Sequence, residues 1–167
     1  RFAGMLLVIV ALARPQHGLK DFQIQTEGIS IVMCIDRSGS MQALDFTLDG
    51  NRVDRLEAVK AVFHDFVAGN GQLPGRPDDQ IGLISFGGFA EAKAPLTLDH
   101  GALLDVLETV NIAQPVYDRS GDVINLRFLD EERATAIGDA VALAVERLRD
   151  SRAKSKAIIL LSDGENT

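Results

Sequence analysis

A single cysteine, Cys34, stands in the 167 residues, so no disulfide can form within the chain. Cys34 lies inside an apolar run, where a buried structural thiol is expected. One free cysteine fits a cytosolic protein and does not exclude an exported one. Positive charge is also short. Seventeen Lys and Arg face 24 Asp and Glu, a net charge of −7. An acidic chain without a basic patch is a poor nucleic-acid binder, so no nucleic-acid partner is expected. Histidine is scarce and scattered (His17, His64 and His100). It shows no metal-ligand spacing, so surface or packing roles are expected. The chain contains no nucleophile elbow, phosphate-binding loop or dinucleotide fingerprint. Internal repeats and low-complexity tracts are absent as well.

Long hydrophobic runs are nearly missing. The exception is residues 2–13, FAGMLLVIVALA, which fall short of the ~20 residues that span a bilayer. Three readings compete for them. They form the tail of a transmembrane helix that leaves the membrane at Arg14-Pro15, a signal peptide cleaved after Ala11-Leu12-Ala13, or a core helix. The chain starts on Arg1 and stops at Thr167 just after a strand-like run, and we expect a fragment of a longer protein.

What is present reads as one globular domain. Apolar residues make up 46% and charged residues 25%, ordinary values for a folded chain whose length suits a single core. Residues 14–27 read as a linker, with a short alternating strand at 21–26. The domain proper spans 28–167. Residues 29–35 (ISIVMCI) form an apolar, β-branched run, the signature of a strand buried on both faces. The spacing of Val53, Leu56, Val59, Phe63 and Phe66 predicts an amphipathic helix over 53–67, stopped by Gly69-Asn70-Gly71. Residues 81–86 (IGLISF) are a second buried strand, followed by a Gly87-Gly88 turn and an edge strand at 89–94. Asp99 is placed to cap a helix carrying Leu103, Leu107 and Val110. Residues 111–134 lack regular spacing and read as a long loop or insertion. A third helix carries Ile137, Val141, Ala144 and Leu148, and residues 157–161 (AIILL) are a third buried strand. Buried strands alternating with amphipathic helices imply an α/β domain, Rossmann-like, with a mostly parallel sheet and helices on both faces. In such sheets ligands bind beyond the carboxyl ends of the strands.

Oxygen-bearing side chains gather at those ends. Asp36 closes the first strand, with Ser38 and Ser40 two and four residues on. Thr135 precedes the third helix, and Asp163 follows the last strand. Two carboxylates and three hydroxyls form a hard-oxygen set of the kind Mg²⁺ accepts while keeping some waters. If one carboxylate acts through water, the ion stays electron-poor and seeks an outside anion. The plain alternative is an ordinary Asp-Ser-Gly turn. Met41 is expected to pack beneath this loop. Asp45 and Asp139 are expected to serve helix-start electrostatics or a loop hydrogen bond rather than a metal. The basic stretch 147-RLRDSRAKSK-156 reads as a solvated helix end.

In chain order, Asp36-x-Ser38-x-Ser40, Thr135 and Asp163 resemble the metal-ion-dependent adhesion site of von Willebrand factor A domains. The stretches 14-RPQ-16, 55-RLEAVK-60, 81-IGLISFGG-88, 94-APLTLD-99, 135-TAIGDA-140 and 158-IILLSDGEN-166 resemble the bacterial aerotolerance (Bat-type) subfamily. The resemblance implies a membrane-tethered, non-enzymatic interaction module in the bacterial inner membrane, its domain facing a compartment of unknown side. It implies that Asp36, Ser38, Ser40, Thr135 and Asp163 hold Mg²⁺ (or Mn²⁺ or Ca²⁺), directly or through water. The ion would accept an Asp or Glu of a partner protein. Other von Willebrand A proteins of the same operon and a MoxR-type AAA+ ATPase are the partners it suggests, with the membrane reached through residues 2–13. It also implies that the last part of the domain lies beyond Thr167. Two departures stand out. Residues 111–134 are longer than expected and end on Arg133-Ala134 instead of a Gly-rich approach. Arg37 is large and charged beside the metal, placed to meet a partner's acid. Two other classes remain, a Mg²⁺-dependent phosphohydrolase with Asp36 as nucleophile and a purely structural α/β domain. The first normally needs an acid where Ser38 stands.

Overall fold

The computed structural model describes residues 28–48, 50–132 and 134–164. Its centre is a four-stranded sheet in the order β5-β4-β1-β6. β1 (Ser30–Asp36) is buried along its whole length. The reason is its position, since it pairs in parallel with β4 (Gln80–Phe86) on one side and β6 (Lys156–Leu161) on the other. A strand so enclosed must be apolar on both faces, as ISIVMCI is. β5 (Ala90–Thr97) joins the other edge of β4 antiparallel. It contains Pro95, tolerated on an edge strand, beside the register shift between Ile81 and Leu83.

The alternation of side chains divides the core in two. Ile31, Met33, Ile35, Ile81 and Leu83 face one layer, which contains α1 (Arg55–Ala68) through Phe63 and α2 (His100–Glu108) through Leu103 and Leu107. Val32, Cys34, Ile84 and Phe86 face the other, against Ala140, Ala144 and Leu148 of a helix over Ile137–Arg149. Helices therefore cover both faces of a mostly parallel sheet, as expected.

The helix ends follow local chemistry. The Asp54 carboxylate accepts from Glu57 N at 2.8 Å and starts α1, which stops at Gly69 with φ 85°. Asp99 caps α2 by accepting from Ala102 N at 3.0 Å. Such caps are worth about 1 kcal/mol each. Lys156 Nζ donates to the Leu148 and Arg149 carbonyls at 2.7 and 3.2 Å, closing the Ile137–Arg149 helix as β6 begins.

Four expectations are corrected. The strand at 157–161 is not buried: β6 forms an edge of the described sheet, and its residues are half-buried or exposed, Leu160 at 40%. Residues 111–134 are not simply a loop. They contain α3 (Leu126–Glu132) and a bridge between Tyr117 and Val123, which makes the Ile137–Arg149 helix α4. α3 is too short for a periodic signal, and its order comes from burying Leu129 and Glu132. A hairpin of β2 (Phe46–Leu48) and β3 (Asn51–Val53) precedes α1. Val53 therefore ends a strand, although its spacing suited the helix. The edge strand runs to Thr97, three residues past its expected end. The apolar run at 2–13 and the strand expected at 21–26 lie outside the described residues. Among the described residues, no helix is long and apolar enough to cross a membrane.

Candidate metal centre

β1, β4 and β6 are parallel, so their carboxyl ends share one edge of the sheet. Asp36 is the last residue of β1 and is fully buried. Its Oδ1 accepts from Ser38 N at 2.8 Å, which turns the chain sharply back. A single 3-10 turn, Gly39–Gln42, follows. Met41 hangs from this turn into the core at 1% exposure, packing beneath the loop as expected. With the turn anchored, the hydroxyls of Ser38 and Ser40 meet at 3.1 Å. Ser38 is itself completely buried.

Asp163 arrives from the neighbouring strand. Ile35 is opposite Leu161 in the register, so the next residue, Ser162, comes level with Asp36. The Ser162 hydroxyl donates to Asp36 Oδ2 at 2.7 Å. Asp163 Oδ2 accepts from Arg55 Nη1 at 2.6 Å. The same guanidinium donates through Nε and Nη2 to Asp45, the shortest contact being 2.7 Å. Hydrogen bonds to the two carboxylates, Asp45 first, make the Arg55 guanidinium hold its proton more tightly than usual. Arg55 in turn holds the Asp45 carboxyl below its ordinary range. Asp45 thus makes the loop hydrogen bond expected of it.

Thr135 is tied in through the backbone. Ala136 N donates to the Gly87 carbonyl, and Arg37 N donates to the Phe86 carbonyl, both at 2.7 Å. Phe86 is the register partner of Asp36. The Thr135 loop is therefore stitched to the end of the strand beside Asp36, and Thr135 is 8% exposed. Hydrogen bonds join Asp36, Ser38 and Ser40 directly, Ser162 carries Asp163 to the same strand end, and Thr135 is held one strand away.

Three participants escaped sequence reasoning. Ser162 has no distinguishing pattern of its own, and only the β1–β6 register brings it to Asp36. Arg55 begins an amphipathic helix and looks like any helix-start residue. Glu132 is the third, and it corrects the expectation for Arg37. The Arg37 guanidinium does not reach out for a partner's acid. It forms an ion pair with Glu132 Oε2 at 2.7 Å, with Glu132 only 2% exposed. It also lies over the Phe89 ring, 5.6 Å from its centroid. Among the described residues, Arg37 Nε and Glu132 Oε1 are buried without hydrogen-bond partners.

The donor set fits a hard cation. Asp36 is a buried carboxylate that receives two neutral hydrogen bonds and, among the described residues, forms no salt bridge. An uncompensated buried charge is costly, and a dication at this edge would compensate it. No cluster of three or more His, Cys, Asp or Glu exists among the described residues. Hydroxyl oxygens must therefore complete any site, which suits Mg²⁺ and its retained waters better than a softer metal.

Known proteins share this architecture. An uncharacterized membrane spanning protein from Vibrio fischeri is 31% identical, with TM-score 0.54, over 72% of this chain and 49% of its own. The conserved hypothetical protein BatB from Bacteroides thetaiotaomicron is 27% identical, with TM-score 0.61, over 83% of this chain and 55% of its own. An aerotolerance-related membrane protein from Bacteroides fragilis is 27% identical, with TM-score 0.61, over 84% of this chain and 56% of its own. The chain spans 40% and 42% of the length of two curated relatives that it matches. The sequence profile of the von Willebrand factor type A domain matches residues 31–165. With its mostly parallel sheet, two helical layers and polar strand-end loops, this chain belongs to the von Willebrand factor type A domain family.

Proposed function

We propose that this domain is a metal-dependent protein-interaction module. Asp36, Ser38, Ser40, Thr135 and Asp163 hold a Mg²⁺ ion directly or through water, and the ion's open position takes an Asp or Glu side chain of a partner protein. The observation that carries this reading is the buried Asp36 carboxylate, which accepts from Ser38 N and the Ser162 hydroxyl and forms no salt bridge among the described residues. When bound, the ion would supply Asp36 with a positive partner and offer a Lewis-acidic position to an outside oxygen. The chain's own residues do the rest. Ser38 N and the Ser162 hydroxyl orient Asp36, and Met41 anchors the turn that presents Ser40.

The reading is non-enzymatic. A strand-end Asp nucleophile needs an acid nearby to protonate the leaving group, and Ser38, two residues on, is a buried hydroxyl. Similarity to membrane proteins from Vibrio fischeri and Bacteroides fragilis supports tethering at a bacterial inner membrane, with residues 2–13 as the anchor. Partners of the type the family suggests are another von Willebrand A chain or a MoxR-type AAA+ ATPase.

Thermal unfolding of the full-length protein tests the site. It is run in EDTA, in MgCl₂, and in MgCl₂ with Asp36→Ala. Mg²⁺ at 100 times its dissociation constant stabilises the folded state by about 2.7 kcal/mol. The wild type is expected to melt higher with Mg²⁺ and the variant not to respond. No Mg²⁺ response in the wild type, or an equal response in the variant, removes the metal reading and leaves a structural domain.

A further inference from the structure

Arg55 links the two segments that carry the proposed ligands. Asp45 lies on the segment containing Ser38 and Ser40, and Asp163 lies on the loop after β6. One guanidinium serves both, donating to Asp163 Oδ2 at 2.6 Å and to Asp45 Oδ2 at 2.7 Å. The two carboxylates are not equivalent. Asp163 is 10% exposed and Asp45 is 47% exposed, with Arg55 between them at 22%. All three line a cleft of about 490 Å³, which gives water access to the linkage.

We propose that Arg55 is a positioning residue that sets the metal affinity of this site by competing with the cation for Asp163, while Asp45 acts as a counter-anchor that draws the guanidinium away. The proposal rests on the metal reading above. Arginine remains charged throughout the working pH range, so this competition cannot be relieved by deprotonation. A guanidinium on Asp163 Oδ2 offsets part of the negative charge that would otherwise serve the ion. It therefore weakens cation binding and keeps a bound ion short of negative charge, ready for an outside carboxylate. The geometry of Arg55 also suits this role better than lysine would. Its planar fork bonds two carboxylates at once, whereas an ammonium would tend to choose one.

Isothermal titration of the full-length protein with MgCl₂ alone tests the competition. Loss of an outer-shell partner typically costs about 10–100-fold in metal affinity, which sets the scale of change that the titration must read. Arg55→Gln is expected to bind Mg²⁺ about tenfold more tightly than wild type, at the low end of that range. Asp45→Asn is expected to bind it about tenfold more weakly, because the guanidinium charge then falls on Asp163 alone. Arg55→Lys, which keeps the charge, is expected to show no such tightening. Melting midpoints in EDTA, measured alongside, separate fold stability from affinity. If Arg55 only braces the fold, both neutralising variants lose stability and neither changes affinity, and the proposal is overturned. If Arg55→Gln weakens Mg²⁺ binding, Arg55 orients Asp163 for the ion, and competition is overturned with the metal reading intact. If the wild type binds no Mg²⁺, both readings fall together.

Discussion

Cys34 shows how a residue's setting overrides its chemistry. It sits mid-strand on β1, fully buried, with Sγ 3.9 Å from the Ala140 carbonyl. Burial pushes its thiol pKa from 9.0 up to about 11. A raised acid pKa in the folded state means that the unfolded chain releases its proton first. Stability from this group is therefore complete below pH ~9 and lost as pH rises from there toward about 11. A thiol reagent at pH 8 should label Cys34 only after denaturation, and rapid labelling of the native protein would contradict its placement. Glu132 and Arg37 present the opposite case, a buried carboxylate paired with a largely covered guanidinium, 2% and 11% exposed. Glu132→Ala should cost about 3–5 kcal/mol in urea unfolding, since it leaves Arg37 unpaired. The double replacement Arg37→Met/Glu132→Leu should recover most of that loss. Neither Glu132 nor Ser162 could be singled out from the sequence, because each acquires its role from a neighbour distant along the chain.

At the scale of elements, legibility follows length and burial. β1 and β4 are enclosed on both faces and so appear as apolar runs, whereas β6 shows the same apolar run although it is the edge of the described sheet and only half-buried. α1, α2 and α4 each bury one stripe and so appear as periodic spacing, and the aspartate caps at Asp54 and Asp99 mark two of their starts. β2 and β3 have three residues each and are largely exposed, so they have no pattern to show. α3 is held by its contact with the Gly87-Gly88 turn more than by any helical signal. A Cβ placed on Gly88 would meet the Glu131 carbonyl oxygen at 1.8 Å, and one on Gly87 would meet the Glu132 carbonyl oxygen at 3.0 Å. Gly88→Ala should therefore push the end of α3 away from β4 and destabilise the protein by about 1–3 kcal/mol, the range for overpacking. Because the Thr135 loop hangs from the Gly87 carbonyl, the same variant should also weaken Mg²⁺ binding. Urea unfolding and Mg²⁺ titration would check the two effects separately.

At the scale of the whole molecule, the sheet divides the interior into two layers that share no side chain among the described residues. Ile31 points into one and Ile84 into the other. Ile31→Val and Ile84→Val should each cost about 0.5–1.5 kcal/mol. Their effects should add within about 0.5 kcal/mol in the double variant, measured by chemical denaturation. A larger discrepancy would mean that the layers communicate through the backbone.

The sequence by itself determined the order of β1, α1, β4, β5, α2, α4 and β6, the mostly parallel α/β class, the strand-end positions of Asp36 and Asp163, and the place of Thr135 just before α4. Those features are local, since apolar periodicity and turn chemistry act over a few residues. Tertiary structure alone decided which distant groups meet. The β1–β6 register set Ser162 on Asp36, the Gly87-Gly88 turn admitted α3, and Glu132 claimed the arginine that sequence reasoning had assigned to a partner. Arg55 was likewise drawn between Asp45 and Asp163. Such pairings depend on strand register and close backbone approach across 95 residues or more in the Glu132 and Asp163 cases, and no local pattern encodes them.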